Sequence, residues 1–244
     1  MGRGSSKAGG VGGGVKTPSG MTQDDFLKLS EQERYDTINN ILADPNIKVP
    51  DYLDSSDTTK LMYALGMDGK PSVVDDATLD SMQGREIFRT VYETGVMPPP
   101  TTDMVLDQIK NGDYTQMSGK GGSAHGRALY FATDYTDSTV YGQGERNPKV
   151  MRAKLNPNAN IRSENSLAHQ MMQDSTWKNT IQGRTQGKSD AIALYAISHG
   201  VDGWYSGTYT MMVNRGAITA SSQNKKIYSS GRTMAHSWST SPNA

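Results

Sequence analysis

The segment 121–155 constrains the fold of this chain more than any other part, because two short apolar runs lie on either side of a polar stretch. The runs are residues 128–132 and 150–155. Apolar runs of this length bounded by Gly, Asp and Pro favour buried strands, since a helix usually needs about ten residues or more. In the polar stretch, Asp134 or Asp137 is suited to cap a short helix. The segment therefore predicts strand, helix and strand.

A glycine-rich loop comes before the first apolar run, and it has the order Gly-Lys-Gly-Gly at 119–122. This order does not match the phosphate-binding loop of P-loop proteins. A backbone without side chains still lets a ligand approach closely. Gly121, Gly122 and Gly126 are therefore candidate ligand-binding positions.

Composition limits the size of the core and the classes of partner. Only 34% of the 244 residues are hydrophobic and 26 are glycine, so the core is expected to be small for this length, with tails making up the difference. The 25 basic and 25 acidic residues cancel, which leaves no overall charge to attract nucleic acid or an anionic membrane. The absence of cysteine excludes disulfides, thiolate metal sites and a cysteine nucleophile.

The sequence contains no apolar stretch near the ~20 residues that a membrane helix needs. Its first residues also lack the apolar core of a signal peptide. These two observations predict a soluble protein made in a cytoplasm, with no membrane partner.

Two segments precede the main domain. Residues 1–20 are a Gly-rich arm, either a flexible tail or an arm that becomes ordered against a partner. Residues 21–84 are a helical lead-in, in which Ser30 and Glu33 have the spacing of a capping box and a second helix is expected over 57–65.

The pattern of residues 85–221 predicts a domain of the α+β class, with short strands and few long helices. A polar C-terminal tail, 222–244, follows it. Thr102, Ser163 and Ser189 are expected at the starts of helices, and residues 174–188 are expected to form a loop. The strands are expected over 86–92, 128–132, 150–155, 201–205, 209–213 and 217–220.

Arg89 lies in the middle of the first of these strands. Alternation places it on one face with Ile87 and Val91. A buried guanidinium is costly unless it is paired, so two interpretations are open. Arg89 either pairs with one of the many aspartates, or it faces a cleft and binds a phosphate or carboxylate with two hydrogen bonds.

The four histidines show no metal-ligand spacing. They are interpreted as residues of loops or helix ends, and no metal site is predicted. The histidines are His125, His169, His199 and His236.

Three features occur in order along the chain: IFRTVY, which contains Arg89; a glycine-rich loop followed by ALYFATDYTDSTVYG; and DGWYSGTYTMMVNRGAIT. Together they resemble the ADP-ribosyltransferase fold over about residues 61–221. The runs ALGMDGKPSVVDD, KVMRAKLNPNA and VNRGAIT bring the chain closer to the transferase-like proteins of tailed bacteriophages.

The resemblance implies a split, twisted β-sandwich that grips NAD in an extended cleft. It implies that Arg89 contacts the phosphates of NAD or the adjoining ribose, and that Thr133 occupies the place of the serine or threonine that orders the cleft. Tyr130 or Tyr141 would pack on the nicotinamide, and Arg89, Thr133 and Tyr130 would form the catalytic set. Aromatic stacking and a charged phosphate contact suit a dinucleotide.

The family also uses a glutamate on a late strand to stabilise the oxocarbenium-like transition state. Here no glutamate follows Glu164, and the nearest late acid is Asp202, whose side chain is one methylene shorter. Two functions therefore remain open. One is transfer of ADP-ribose from NAD to a host macromolecule, by an enzyme that is packaged in the virion or acts in the host cytoplasm. The other is a non-catalytic, head-associated virion component whose arm and tail contact neighbouring virion proteins or other copies of the chain.

Overall fold

The computed structural model describes six ranges of the chain: 17–50, 56–67, 70–93, 101–112, 128–181 and 188–226. The N-terminal arm, the glycine loop with Gly121, Gly122 and Gly126, and most of the predicted C-terminal tail lie outside these ranges. None of the helices within them has the length and apolar character needed to cross a membrane.

Helices and strands alternate irregularly, which confirms the prediction of a mixed α+β protein. The helices are α1 Gln23–Lys28, α2 Glu31–Ala43, α3 Asp57–Ala64, α4 Asp76–Ser81, α5 Thr102–Lys110, α6 Tyr135–Val140, α7 Glu164–Gln173, α8 Ser175–Thr180 and α9 Lys188–Ser198. The strands are β1 Ser72–Val74, β2 Glu86–Glu93, β3 Leu129–Ala132, β4 Arg146–Leu155, β5 Ile161–Ser163, β6 Gly203–Ser206, β7 Tyr209–Met212 and β8 Ile218–Lys226.

The strands form one mixed sheet in the order β1-β8-β4-β2-β3-β7-β6-β5. The sheet has two halves of four strands each, and the two halves meet between β2 and β3. Only one residue pair, Phe88 with Ala132, joins these two strands, whereas β2 and β4 are paired along most of their length. The sheet is therefore divided at its centre, although its hydrogen bonding is continuous.

Two apolar clusters pack on the sheet, and both include residues of the half that contains β3 and β7. One cluster lies between β2, β4, β8 and α5 and includes Ile87, Val91 and Leu106. The other lies beneath α2, α3, α7, α8 and α9 and includes Tyr35 and Trp177. β3 contributes to both, because alternate residues of a strand point to opposite faces.

Several helix starts agree with the sequence predictions. Ser30 and Glu33 form the expected capping box at α2, in which each side chain accepts a hydrogen bond from the other's backbone N–H. Asp134, one of the two predicted caps, accepts hydrogen bonds from Thr136 N and Asp137 N at α6. The helix predicted from Ser163 is α7, and Ser163 caps it.

Two other predicted helix starts are wrong. Thr101 caps α5 by accepting a hydrogen bond from Met104 N, whereas Thr102 is buried and donates to the carbonyl oxygen of Asn147 at 2.6 Å. Ser189 lies within the first turn of α9, which begins one residue earlier at Lys188. At α5 the neighbouring Thr101 is equally suited to cap the helix, which leaves the Thr102 side chain available for its contact with Asn147.

Three segments hold more regular structure than their composition suggested. The predicted loop 174–188 contains α8, which Asp174 caps. The predicted helical lead-in contains β1, which pairs in parallel with β8 over Thr219–Ser221. The predicted polar tail begins inside β8, where residues 224–226 pair with 149–151 of β4. Polar residues form a strand here because β4 supplies the hydrogen bonds for their backbone.

Candidate functional site around Arg89

Arg89 lies in β2 and is one of the few buried arginines, with 8% of its surface exposed. Its strand neighbours Ile87 and Val91 belong to the apolar cluster under α5, as the predicted alternation requires. Met151, the residue opposite Arg89 on β4, is fully buried in the same cluster. The guanidinium is therefore held among apolar side chains.

The Arg89 side chain bridges the two half-sheets. Its Nη1 atom donates a hydrogen bond to the carbonyl oxygen of Tyr130 on β3, at 2.8 Å. Strand pairing ends at Phe88 and Ala132, so a side chain satisfies this carbonyl where the two strands are no longer paired. The Nε atom of Arg89 is buried and has no hydrogen-bond partner among the described residues.

Arg89 keeps its charge without a counter-ion from the described part of the chain. Burial lowers the pKa of its guanidinium to about 10, and Tyr92 acts weakly in the opposite direction. Below that pH the group is positive. No carboxylate in the described ranges forms an ion pair with it, so the pairing with an aspartate that the sequence allowed is not found there. A buried cation with a free N–H favours an anion close by.

Thr133 lies close to the same join. Ala132, which precedes it, pairs with Phe88, which precedes Arg89, so both candidate residues are one position from the pair that connects the half-sheets. The backbone N–H of Thr133 donates to the carbonyl oxygen of Thr208 at 2.8 Å. Asp134, the next residue, caps α6.

Tyr130 contributes its main chain, not its ring, to the surroundings of Arg89. Leu129 and Phe131 belong to the same cluster as Ile87, whereas the Tyr130 ring packs against the cluster beneath α9. The ring and the guanidinium therefore lie on opposite faces of the sheet. Stacking of Tyr130 on a nicotinamide held at Arg89 would require a ligand that passes through the division of the sheet.

Tyr141 is at the end of α6 and faces β7. Its hydroxyl donates to the hydroxyl of Tyr209 at 2.5 Å, and the two rings meet edge to face with 6.3 Å between their centroids. Burial, followed by the hydrogen bond to Tyr209, raises the pKa of Tyr141 to about 12. Tyr141 is 37% exposed, so part of its ring is free to contact a ligand. Tyr209 was not among the predicted site residues; it begins β7, which pairs with β6 in a hairpin.

The late acid Asp202 has a structural role. Its two carboxylate oxygens accept hydrogen bonds from Asn160 N at 2.8 Å and from Asn214 Nδ2 at 2.7 Å. Asp202 therefore connects Asn160, which comes just before β5, to Asn214, which follows β7. Glu164 begins α7 and is half-buried. Strands β6 and β7 carry no carboxylate.

No protein-family model matches this chain, and comparison with curated proteins and with solved structures finds no detectable similarity. The functional argument therefore depends on the residues themselves. Of the predicted site residues in the described ranges, Arg89 and the Tyr130 main chain are in contact at the division of the sheet. Thr133 lies on the other side of the connecting pair, and Tyr141 lies with Tyr209 at the end of α6.

Proposed function

We propose that this protein is an ADP-ribosyltransferase-like protein of tailed-bacteriophage type, which binds NAD at Arg89 and transfers ADP-ribose to a host macromolecule. The observation that carries the proposal is a charged, buried guanidinium with a free N–H and no carboxylate partner in the described residues. A phosphate of NAD supplies the missing negative charge and accepts from the unused N–H group.

The division of the sheet supports the same proposal. A dinucleotide needs an extended cleft, and two half-sheets joined by the single pair of Phe88 and Ala132 leave β2 and β3 unpaired on one side of that join. Arg89 lies next to the join on the side where it bonds the Tyr130 carbonyl, and Thr133 lies next to it on the other side. A sheet divided in this way agrees with the split sandwich that the resemblance to the transferase family implies.

A second candidate function is a non-catalytic virion component with the same fold. It is favoured by the position of Asp202, whose carboxylate oxygens both accept hydrogen bonds within the protein, and by the lack of a carboxylate on β6 and β7. Loss of a group that stabilises transition-state charge typically costs about 3 kcal/mol, or a factor of 100 or more in rate. In this case NAD binding at Arg89 could persist without transfer.

The two functions are separated by incubating the protein with labelled NAD and a bacterial host lysate. We expect the wild-type protein to transfer label to a host macromolecule. The Arg89→Met variant should lose this transfer, and the Arg85→Ala variant should keep it. Arg85 is a matched control, because it is an exposed arginine just before β2. Circular dichroism of each variant establishes that it is folded.

The outcomes distinguish the candidates. Binding of NAD without transfer would overturn the enzymatic proposal and support the non-catalytic one. If the wild-type protein neither binds NAD nor transfers the label, the proposal of a nucleotide site at Arg89 is refuted.

A further inference from the structure

Away from Arg89, four polar side chains converge where α2, the junction of α7 and α8, and the end of α9 meet. The Tyr35 hydroxyl is 3.1 Å from Glu31 Oε1, 2.5 Å from Asp174 Oδ2 and 3.4 Å from His199 Nε2. His199 Nε2 is itself 3.5 Å from Glu31 Oε1. One nitrogen and two carboxylate oxygens therefore lie within 4.8 Å of one another, on side chains from three separate parts of the sequence.

The surroundings of His199 fix which ring nitrogen faces the cluster as an acceptor. Nδ1 is 2.9 Å from the carbonyl oxygen of Tyr195, which can only accept a hydrogen bond. The nearby Ser198 hydroxyl donates to the same carbonyl. Nδ1 therefore carries the proton, and in the neutral ring the lone pair of Nε2 points towards Glu31. A metal-binding histidine is commonly oriented in this way, with its other nitrogen donating to a backbone carbonyl.

The cluster has more acceptors than donors. Three acceptor atoms, on Glu31, Asp174 and His199, face the hydroxyl proton of Tyr35, and the Tyr195 hydroxyl is a second donor to Asp174. No lysine or arginine in the described part of the chain forms an ion pair with either carboxylate. Two neighbouring carboxylates repel each other, so a cation at this place would be stabilised.

We propose that Glu31, Asp174 and the Nε2 atom of His199 bind a divalent transition-metal ion, of which zinc is the type. Zinc binds nitrogen and carboxylate oxygen at about 2.0–2.1 Å in a tetrahedron, which separates neighbouring ligand atoms by about 3.4 Å. The distance of 3.5 Å between His199 Nε2 and Glu31 Oε1 fits this geometry. Asp174 offers an oxygen within 4.8 Å of both of these atoms and supplies the third ligand.

The proposed site is open to solvent on the side of Glu31 and is lined by aromatic rings on the other side. The Glu31 side chain is 50% exposed and that of His199 is 18% exposed, so the ion can enter and a water can take the fourth position. Tyr35 is fully buried and packs edge to face on Trp177, and the Tyr195 ring lies 4.2 Å from that of His199. Tyr35 thus orients Asp174 without being a required ligand.

Metal binding is expected to link α2 to the helices α7, α8 and α9 and so to stabilise the folded protein. Glu31 is in the first turn of α2, Asp174 caps α8 and His199 follows α9. An ion that binds the folded chain and not the unfolded one stabilises it. The site is independent of the nucleotide site proposed at Arg89.

The test is a zinc titration of the chelator-treated full-length protein, with a chromophoric zinc indicator as the competitor and thermal unfolding as a second readout. Wild-type protein is expected to bind one zinc ion per chain and to unfold at a higher temperature with zinc. Glu31→Gln and His199→Gln are expected to weaken the affinity by at least about tenfold, the smallest loss usual even for residues that support a ligand.

Two further variants make the test specific. His169→Gln changes an exposed histidine of α7 and is expected to leave the affinity unchanged. Tyr35→Phe removes the hydroxyl but keeps the ring, and is expected to retain zinc binding. The proposal would be overturned if the wild-type protein did not bind zinc, or if His199→Gln bound it with equal affinity. The cluster would then be a hydrogen-bonded network without a metal ion.

Discussion

A buried arginine usually lies beside a carboxylate, because an unpaired charge is costly in an apolar interior. Arg89 instead donates to the carbonyl oxygen of Tyr130 and has a free Nε atom in the described structure. This single hydrogen bond connects the half-sheets at the point where backbone pairing stops. The remaining donor capacity of the same group is the reason for proposing an anionic ligand.

At the residue scale, the Asp174 carboxyl predicts how stability depends on pH in metal-free protein. Burial tends to raise its pKa, but hydrogen bonds from Trp177 N and the Tyr35 hydroxyl outweigh burial, and the pKa lies below its ordinary value. The stabilisation is therefore complete above the unfolded pKa of about 3.9 and is lost as the pH falls through the lower, folded value.

The measurement for this prediction is urea unfolding from pH 6 to pH 2, compared between wild-type protein and Asp174→Asn. The wild-type free energy of unfolding should fall more steeply in the acid range than that of the variant. Equal slopes would mean that Asp174 has the same pKa in both states.

The sequence carried part of the candidate site but not its contacts. Arg89 was recognisable because a charged residue interrupts an apolar strand, and Thr133 because it follows the second apolar run. That Arg89 contacts the Tyr130 main chain depends on where two strands separate, which no local pattern specifies. His199 showed no metal-ligand spacing, because Glu31 and Asp174, its neighbours in the proposed metal site, come from distant positions in the sequence.

At the scale of elements, the N-terminus of α5 offers a direct test of helix capping. Thr101 accepts a hydrogen bond from Met104 N, and Thr101→Ala leaves that N–H without its side-chain partner. The expected loss is about 1 kcal/mol in the free energy of unfolding. Urea unfolding measures it, and a loss well below that value would contradict the capping role.

Elements with a strong local signal were predicted, and those that depend on distant partners were not. The capping box of Ser30 and Glu33 is contained within four residues and was recognised. β1 is three residues long and exists through its pairing with β8, so it has no pattern of its own. The polar end of β8 is a strand because β4 extends beside it.

At the scale of the whole molecule, the central feature is a sheet divided at its centre, with one apolar cluster that spans the division and a second that packs on the β3 half. The halves share one backbone pair, Phe88 with Ala132, and the side-chain bond from Arg89. The class of the fold could be predicted from alternating short strands and helices. The order of strands could not, because β8, the last strand, lies between β1 and β4.

The proposed function depends most directly on whether NAD binds at Arg89, and isothermal titration calorimetry with NAD measures this. Wild-type protein and Arg85→Ala are expected to bind alike, while Arg89→Met should weaken binding about tenfold to a hundredfold, as loss of a hydrogen bond to a charged group implies. Failure of the wild-type protein to bind NAD, or equal binding by a folded Arg89→Met variant, would contradict the account.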